Sequence, residues 1–190
     1  MKKKRPAICV FCGSSVGGDP RYAAAATTLG RLIAERGFAL VFGGGTPGLM
    51  GVVARAARDG GAPVTGVLPD FLRWVERPPE WEQDLIITPD LQLRKTRMLA
   101  LADAFVLLPG GAGTMDEFFE VVTSAHLKVL AKPIVLINVN GYFEPLQQLM
   151  RHLAREGFAH PAMLDLYSVV DTPEQAIEAI AGKLARLPGK

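Results

Sequence analysis

A parallel α/β sheet wound by helices on both faces is the fold class this sequence predicts, and three observations carry the prediction. Short β-rich apolar runs alternate with helix-length amphipathic segments from end to end. Glycine clusters fall directly after three of those runs, and the helix-length segments open on explicit cap signals. Strands are expected near residues 7–12, 39–42, 63–67, 84–88, 104–108, 133–137 and 167–170, which makes a Rossmann-like, doubly wound parallel sheet of about seven strands.

The first run, Ala7-Ile8-Cys9-Val10-Phe11-Cys12, contains both cysteines of the chain. Alternation puts Cys9 and Cys12 on opposite faces of a strand, so the C-x-x-C spacing reads as two small buried residues and not as a redox or zinc pair. Asp19-Pro20 starts the first helix, and Thr172-Pro173-Glu174-Gln175 starts the last with an N-cap, a proline at the first helical position and a capping box. Gly37, Gly60 and Gly157 stand where helices end. Residues 70–83, with Trp74, Pro78, Pro79 and Trp81, are too irregular for a regular element and too apolar for a free loop, and are expected to form a lid or a subunit contact.

The three glycine clusters are Cys12-Gly13-Ser14-Ser15, the run from Phe42 through Gly43-Gly44-Gly45 to Gly51, and Leu108-Pro109-Gly110-Gly111-Ala112-Gly113-Thr114. Beyond the carboxyl ends of parallel strands, such glycines let backbone N–H groups approach a ligand, and the following helix start adds partial positive charge; the expected guest is a phosphate. No cluster is the dinucleotide fingerprint, because the first turn reads Gly13-Ser14-Ser15-Val16-Gly17, and none closes on the Gly-Lys-Ser/Thr of a P-loop. Thr114-Met115-Asp116-Glu117 fits a capping box, with Thr114 as cap and Glu117 reaching back, and equally places a carboxylate one turn from an anion-binding helix start. Upstream, Arg94-Lys95-Thr96-Arg97 reads as a helix on which Arg94 and Arg97 share a face and Lys95 points elsewhere, the ordinary reading being a solvated face.

The 190 residues, 49% apolar, are expected to form a single nucleotide-binding domain over 1–190, with 1–6 a flexible tail. A net charge of +2 points to neither nucleic acid nor membrane as the main partner. No apolar stretch approaches the ~20 residues of a bilayer span, and the expected location is cytoplasmic.

At Cys9–Ser15 (residues 9–15), the triple-glycine loop, Pro109–Glu117 (residues 109–117) and Asn138-Val139-Asn140-Gly141-Tyr142-Phe143, the sequence resembles the LONELY GUY family of cytokinin riboside 5′-monophosphate phosphoribohydrolases, whose members also carry a lysine decarboxylase label. The most specific element is P-G-G-x-G-T-x-x-E, complete from Pro109 to Glu117 and preceded at family spacing by Arg94-Lys95. The resemblance implies Arg94 and Glu117 as the catalytic pair. It implies a nucleotide held by Lys95 and the loop from Gly111 through Ala112 and Gly113 to Thr114, and substrate contact at Glu76 and Thr123. Ser14, Gly44, Gly45 and Gly110 in the glycine loops are counted with the binding positions. The implied reaction uses no cofactor and no metal, and releases a free adenine-type base and ribose 5-phosphate. The implied assembly is a homodimer, and the apolar helix expected from Glu117 to Leu130, with the Trp74 and Trp81 region, offers contact surface.

Plant-like members carry Tyr in the proline-glycine loop, Trp-x-Gln-Leu-Gly on the next helix and Met-His before the Arg-Lys pair; here stand Ala112, Ser124-Ala125-His126-Leu127-Lys128 and Leu91-Gln92. AMP is therefore as much an expected substrate as an isoprenoid nucleotide, and His126 reads as a polar helix residue. A decarboxylase gains no support, since pyridoxal chemistry needs a lysine and none stands in the glycine loops. Two other classes stay open on sequence: a nucleotide or cofactor carrier without turnover, and a structural or signalling dimer stabilised by a bound nucleotide.

Overall fold

The computed structural model describes residues 5–76 and 85–186, and within them seven strands alternate with seven helices. The order is β1 (Ala7–Phe11), α1 (Pro20–Glu35), β2 (Ala39–Phe42), α2 (Gly48–Asp59), β3 (Val64–Pro69), α3 (Arg73–Glu76), β4 (Leu85–Thr88), α4 (Leu91–Leu101), β5 (Ala104–Leu107), α5 (Ala112–His126), β6 (Ile134–Ile137), α6 (Glu144–Arg155), β7 (Ser168–Val170) and α7 (Pro173–Arg186). Every expected strand is present. Asp84, Pro78, Pro79 and Trp81 of the expected elements, and residues 1–4 of the tail, lie outside the described residues.

All strands pair in parallel, in the order β4-β3-β2-β1-β5-β6-β7. Alternation along β1 sends Ile8 and Val10 to one face and Ala7, Cys9 and Phe11 to the other, so the buried strand reads as an unbroken apolar run. One face is covered by α1, α2 and α7 through Leu29, Ile33, Val53, Ile177 and Ile180; the other by α4, α5 and α6 through Met98, Phe118, Val121, Leu146 and Met150. The sheet is therefore doubly wound. Cys9 and Cys12 are free, buried and on opposite faces, as the alternation requires.

The caps follow the sequence closely. Asp19 accepts from the Arg21 N–H ahead of Pro20, and Thr172 Oγ1 accepts from the Gln175 N–H. The Gln175 amide oxygen returns to the N–H of Asp171, one residue before the cap nitrogen that a capping box would use. Helices α1, α2 and α6 stop at or beside Gly37, Gly60 and Gly157. Within the stretch expected to be wholly irregular, residues 70–76 form a short 3-10 turn at Asp70–Leu72 running into α3.

Two expectations are corrected. Thr114 does not cap α5: the helix starts at Ala112, its N-cap is Gly111 with no side-chain cap bond, and Thr114 is a buried helical residue. Glu117 accordingly turns away from the helix start. Lys95 does not point away from Arg94's partners, because α4 lies against α5 and both side chains reach it, while Arg97 is exposed. Arg94-Lys95 is a bridge between helices and not a solvated face.

Candidate active site

The strand order reverses direction between β1 and β5, since β1 leads towards β2 on one side and β5 towards β6 on the other. Their loops diverge there and open a crevice at the carboxyl ends of the strands. Backbone bonds fix its floor: the Gly13 N–H donates to the Pro109 carbonyl at 3.0 Å, and the Leu49 N–H to the Gly13 carbonyl at 3.0 Å. The phenolic O–H of Tyr142 donates to the Gly110 carbonyl at 2.6 Å and steadies the proline-glycine loop from behind.

A cleft of about 280 Å³ opens above this floor. One side is polar, with Ser14, the run Gly111–Thr114 (residues 111–114), Arg94 and Glu117; the other is walled by Met50, Leu68, Leu72 and Leu91, with Glu76 among them. The first N–H groups of α5 have no acceptor within the helix, and with no side-chain cap they face the cleft together with the positive end of the helix dipole. That is an anion seat built from backbone.

Arg94 and Glu117 form the charged centre. Arg94 Nη1 donates to Glu117 Oε1 at 3.0 Å, and its Nε donates to the Val67 carbonyl at 3.1 Å, so β3 and α5 together fix the guanidinium. The pair is buried, with 14% and 9% of the two side chains exposed. Burial pushes the Glu117 carboxyl up to about 7 against the lowering effect of Arg94. A carboxylate that titrates near neutrality is suited to proton transfer at physiological pH. Burial pushes the Cys12 thiol at the edge of the same cleft well up, so it stands neutral and is no nucleophile.

Of the residues named from sequence, Ser14, Glu76, Arg94, Gly111, Ala112, Gly113, Thr114 and Glu117 line the cleft. Gly44 instead packs towards Leu68 and Leu85, and Gly45 lies beneath the Glu76 side chain. Gly110 borders a neighbouring cavity of about 250 Å³ with Tyr22 and Tyr142. Lys95 does not line the cleft; its ammonium bridges Asp116 at 3.1 Å and Glu120 at 3.0 Å, the Glu120 contact being the larger cause that holds its charge on. Thr123 is exposed farther along α5, outside the cleft.

Sequence reasoning missed Gly43 and the apolar wall. A Cβ on Gly43 would collide with Arg94 Nη2 and stand 2.8 Å from Met50 Sδ, so glycine there leaves room for the guanidinium. Three successive glycines gave no signal of which one faces the cleft.

Comparisons with known proteins identify the relatives of this chain. Residues 50–180 match a family model described as "possible lysine decarboxylase". A cytokinin riboside 5′-monophosphate phosphoribohydrolase of Rhodococcoides fascians is 43% identical over 91% of this chain and 88% of its own. An enzyme of the same name from Arabidopsis thaliana is 38% identical over 95% of this chain and 84% of its own. Among solved structures, the molybdenum cofactor binding protein of Rippkaea orientalis superposes with a TM-score of 0.75 at 23% identity, covering 95% of this chain and 98% of that one, a likeness of fold alone. The matched segment is well over half of the chain, and with these identities the protein belongs to the LONELY GUY family, which the decarboxylase wording of the family model covers.

Proposed function

We propose that this protein is a nucleoside 5′-monophosphate phosphoribohydrolase, which hydrolyses the bond between C1′ and an adenine-type base and releases the free base and ribose 5-phosphate. The observation that carries the reading is the buried Arg94–Glu117 pair in one cleft with an uncapped helix start. The 5′-phosphate sits on the N–H groups of residues 111–114, and the base lies against Met50, Leu68, Leu72 and Leu91. Glu117 then faces the sugar, stabilises its oxocarbenium-like transition state and takes a proton from the attacking water. Arg94 orients Glu117 and balances its charge. Among the described residues no lysine lines the cleft, so the decarboxylase description finds no Schiff-base residue among them.

AMP and N6-modified cytokinin nucleotides both fit this scheme, and the names of the relatives favour the second. A carrier that binds the nucleotide in the same cleft without turnover is the second reading, since the fold alone does not decide between them. Incubating purified protein with each nucleotide and separating products by chromatography decides between them. Equimolar base and ribose 5-phosphate are expected; binding with the nucleotide recovered intact would favour the carrier.

We further infer a cytoplasmic homodimer in which residues 1–190 act as one unit. No described helix is long and apolar enough to cross a membrane. Leu127 and Val129 are exposed just after α5, and Phe71, Trp74 and Val75 are exposed beside the cleft, which supports contact surface in the two regions whose apolar residues suggest it.

A further inference from the structure

Glu76 presents an unpaired group that the scheme above does not use. It ends α3, whose backbone is pinned to the glycine loop after β2: the Thr46 N–H donates to the Glu76 carbonyl at 2.9 Å. The side chain lies over Gly45, where any Cβ would collide with Oε2, and enters the cleft from the wall that carries Met50, Leu68 and Leu72. Among the described residues, its Oε2 is the one fully covered side-chain oxygen with no hydrogen-bond partner. An ionised carboxylate oxygen in that position costs free energy that a proton on the carboxyl, or a donor on a ligand, would recover.

Resting on the hydrolase reading, we propose that Glu76 is the acid that protonates the departing base. Arg94 does not fill this role, because a guanidinium does not surrender a proton to a leaving group, and its Nε and Nη1 already donate to the Val67 carbonyl and to Glu117. Nor does Glu117, which enters from α5 and serves the water. In the step, the C1′–N9 bond breaks and its electron pair goes to the base, while the Glu76 carboxyl proton passes to a ring nitrogen, so that the base leaves neutral. Water oxygen bonds to C1′ and its proton passes to Glu117. Exchange with solvent then returns a proton to Glu76 and removes one from Glu117, leaving the sum of nucleotide plus water.

Burial raises the Glu76 carboxyl above its usual value, opposed by Arg94 from α4; Glu117 and the neutral Cys12 thiol are the other ionisable groups that line the cleft, and Gly45, Thr46 and Met50 from the β2–α2 side bring no charge. A bound base that displaces solvent, and a phosphate dianion near by, push in the same direction.

The test compares AMP with p-nitrophenyl β-D-ribofuranoside 5-phosphate, whose nitrophenolate leaves without a proton. In Glu76→Gln, kcat/KM is expected to fall by about 10²- to 10³-fold on AMP and by less than about threefold on the nitrophenyl substrate. Retained activity on the second substrate shows that the variant is folded and binds ribose 5-phosphate. Equal losses on both substrates, or no loss on AMP, would overturn the inference while leaving the hydrolase reading in place. No turnover of any nucleotide by the wild type would overturn both.

Discussion

Two opposing influences meet at Glu117: desolvation, which favours the protonated carboxyl, and the Arg94 guanidinium 3.0 Å away, which favours the carboxylate. Desolvation wins, to about 7. In the proposed reaction Glu117 is the base and acts only when ionised, so kcat/KM on AMP should rise with pH through about 7. Arg94→Met removes the lowering influence, and the rising limb of its residual activity should move to higher pH; a limb unmoved in that variant would assign the ionisation elsewhere. Stability carries the same signature with a defined sign. The folded value lies above the ordinary 4.5, so the contribution of Glu117 is fully present below about 4.5 and is lost as pH rises through about 7. Denaturant unfolding should therefore show Glu117→Gln gaining on the wild type by on the order of 2–3 kcal/mol between pH 4 and pH 8.5. No difference in pH dependence between the two proteins would contradict the raised value.

At the scale of elements, the glycine loop after β2 and the facing α4 act as one part. Gly43→Ala places a methyl group where Arg94 Nη2 lies, so kcat/KM should fall by about 10- to 100-fold with far less effect on the melting temperature; unchanged kinetics would show that the guanidinium position is dispensable. The same scale explains what was legible beforehand. Strands buried on both faces, such as Val10–Phe11 (residues 10–11) and Ile134–Ile137, announce themselves as apolar runs, and Asp19-Pro20 and Thr172-Pro173 announce helix starts. Thr114-x-x-Glu117 misleads because its spacing suits a cap, yet α5 begins two residues earlier, and that places Glu117 against Arg94. The direction of Lys95 depends on α5 packing against α4, and the choice of Gly43 over Gly44 depends on how the chain leaves β2; neither is a property of local sequence. The resemblance points to Glu76 as a substrate contact, but its covered, unpaired oxygen had no signal in the residues, since α3 is a four-residue helix within an irregular stretch.

At the scale of the whole molecule, the site exists because the strand order turns at β1 and β5, which no single segment encodes. Loops from β1 and β5, the glycine run after β2, and the starts of α4 and α5 converge there across more than a hundred residues of sequence. Assembly belongs to this scale too. Val129, 76% exposed beyond α5, should tolerate Glu in a monomer but not in an apolar subunit contact. Sedimentation is expected to show a dimer for the wild type and a shift to monomer for Val129→Glu; a wild-type monomer at all concentrations would remove the dimer from the proposal.

The most direct measurement is turnover of AMP by Glu117→Gln, with AMP binding to the same variant followed by calorimetry. A fall in kcat of about 10³-fold or more with Kd within about threefold of the wild type is the expected result, since the amide keeps the shape of the carboxylate and loses its basicity. Release of adenine and ribose 5-phosphate at a rate close to wild type would contradict a hydrolase centred on Glu117.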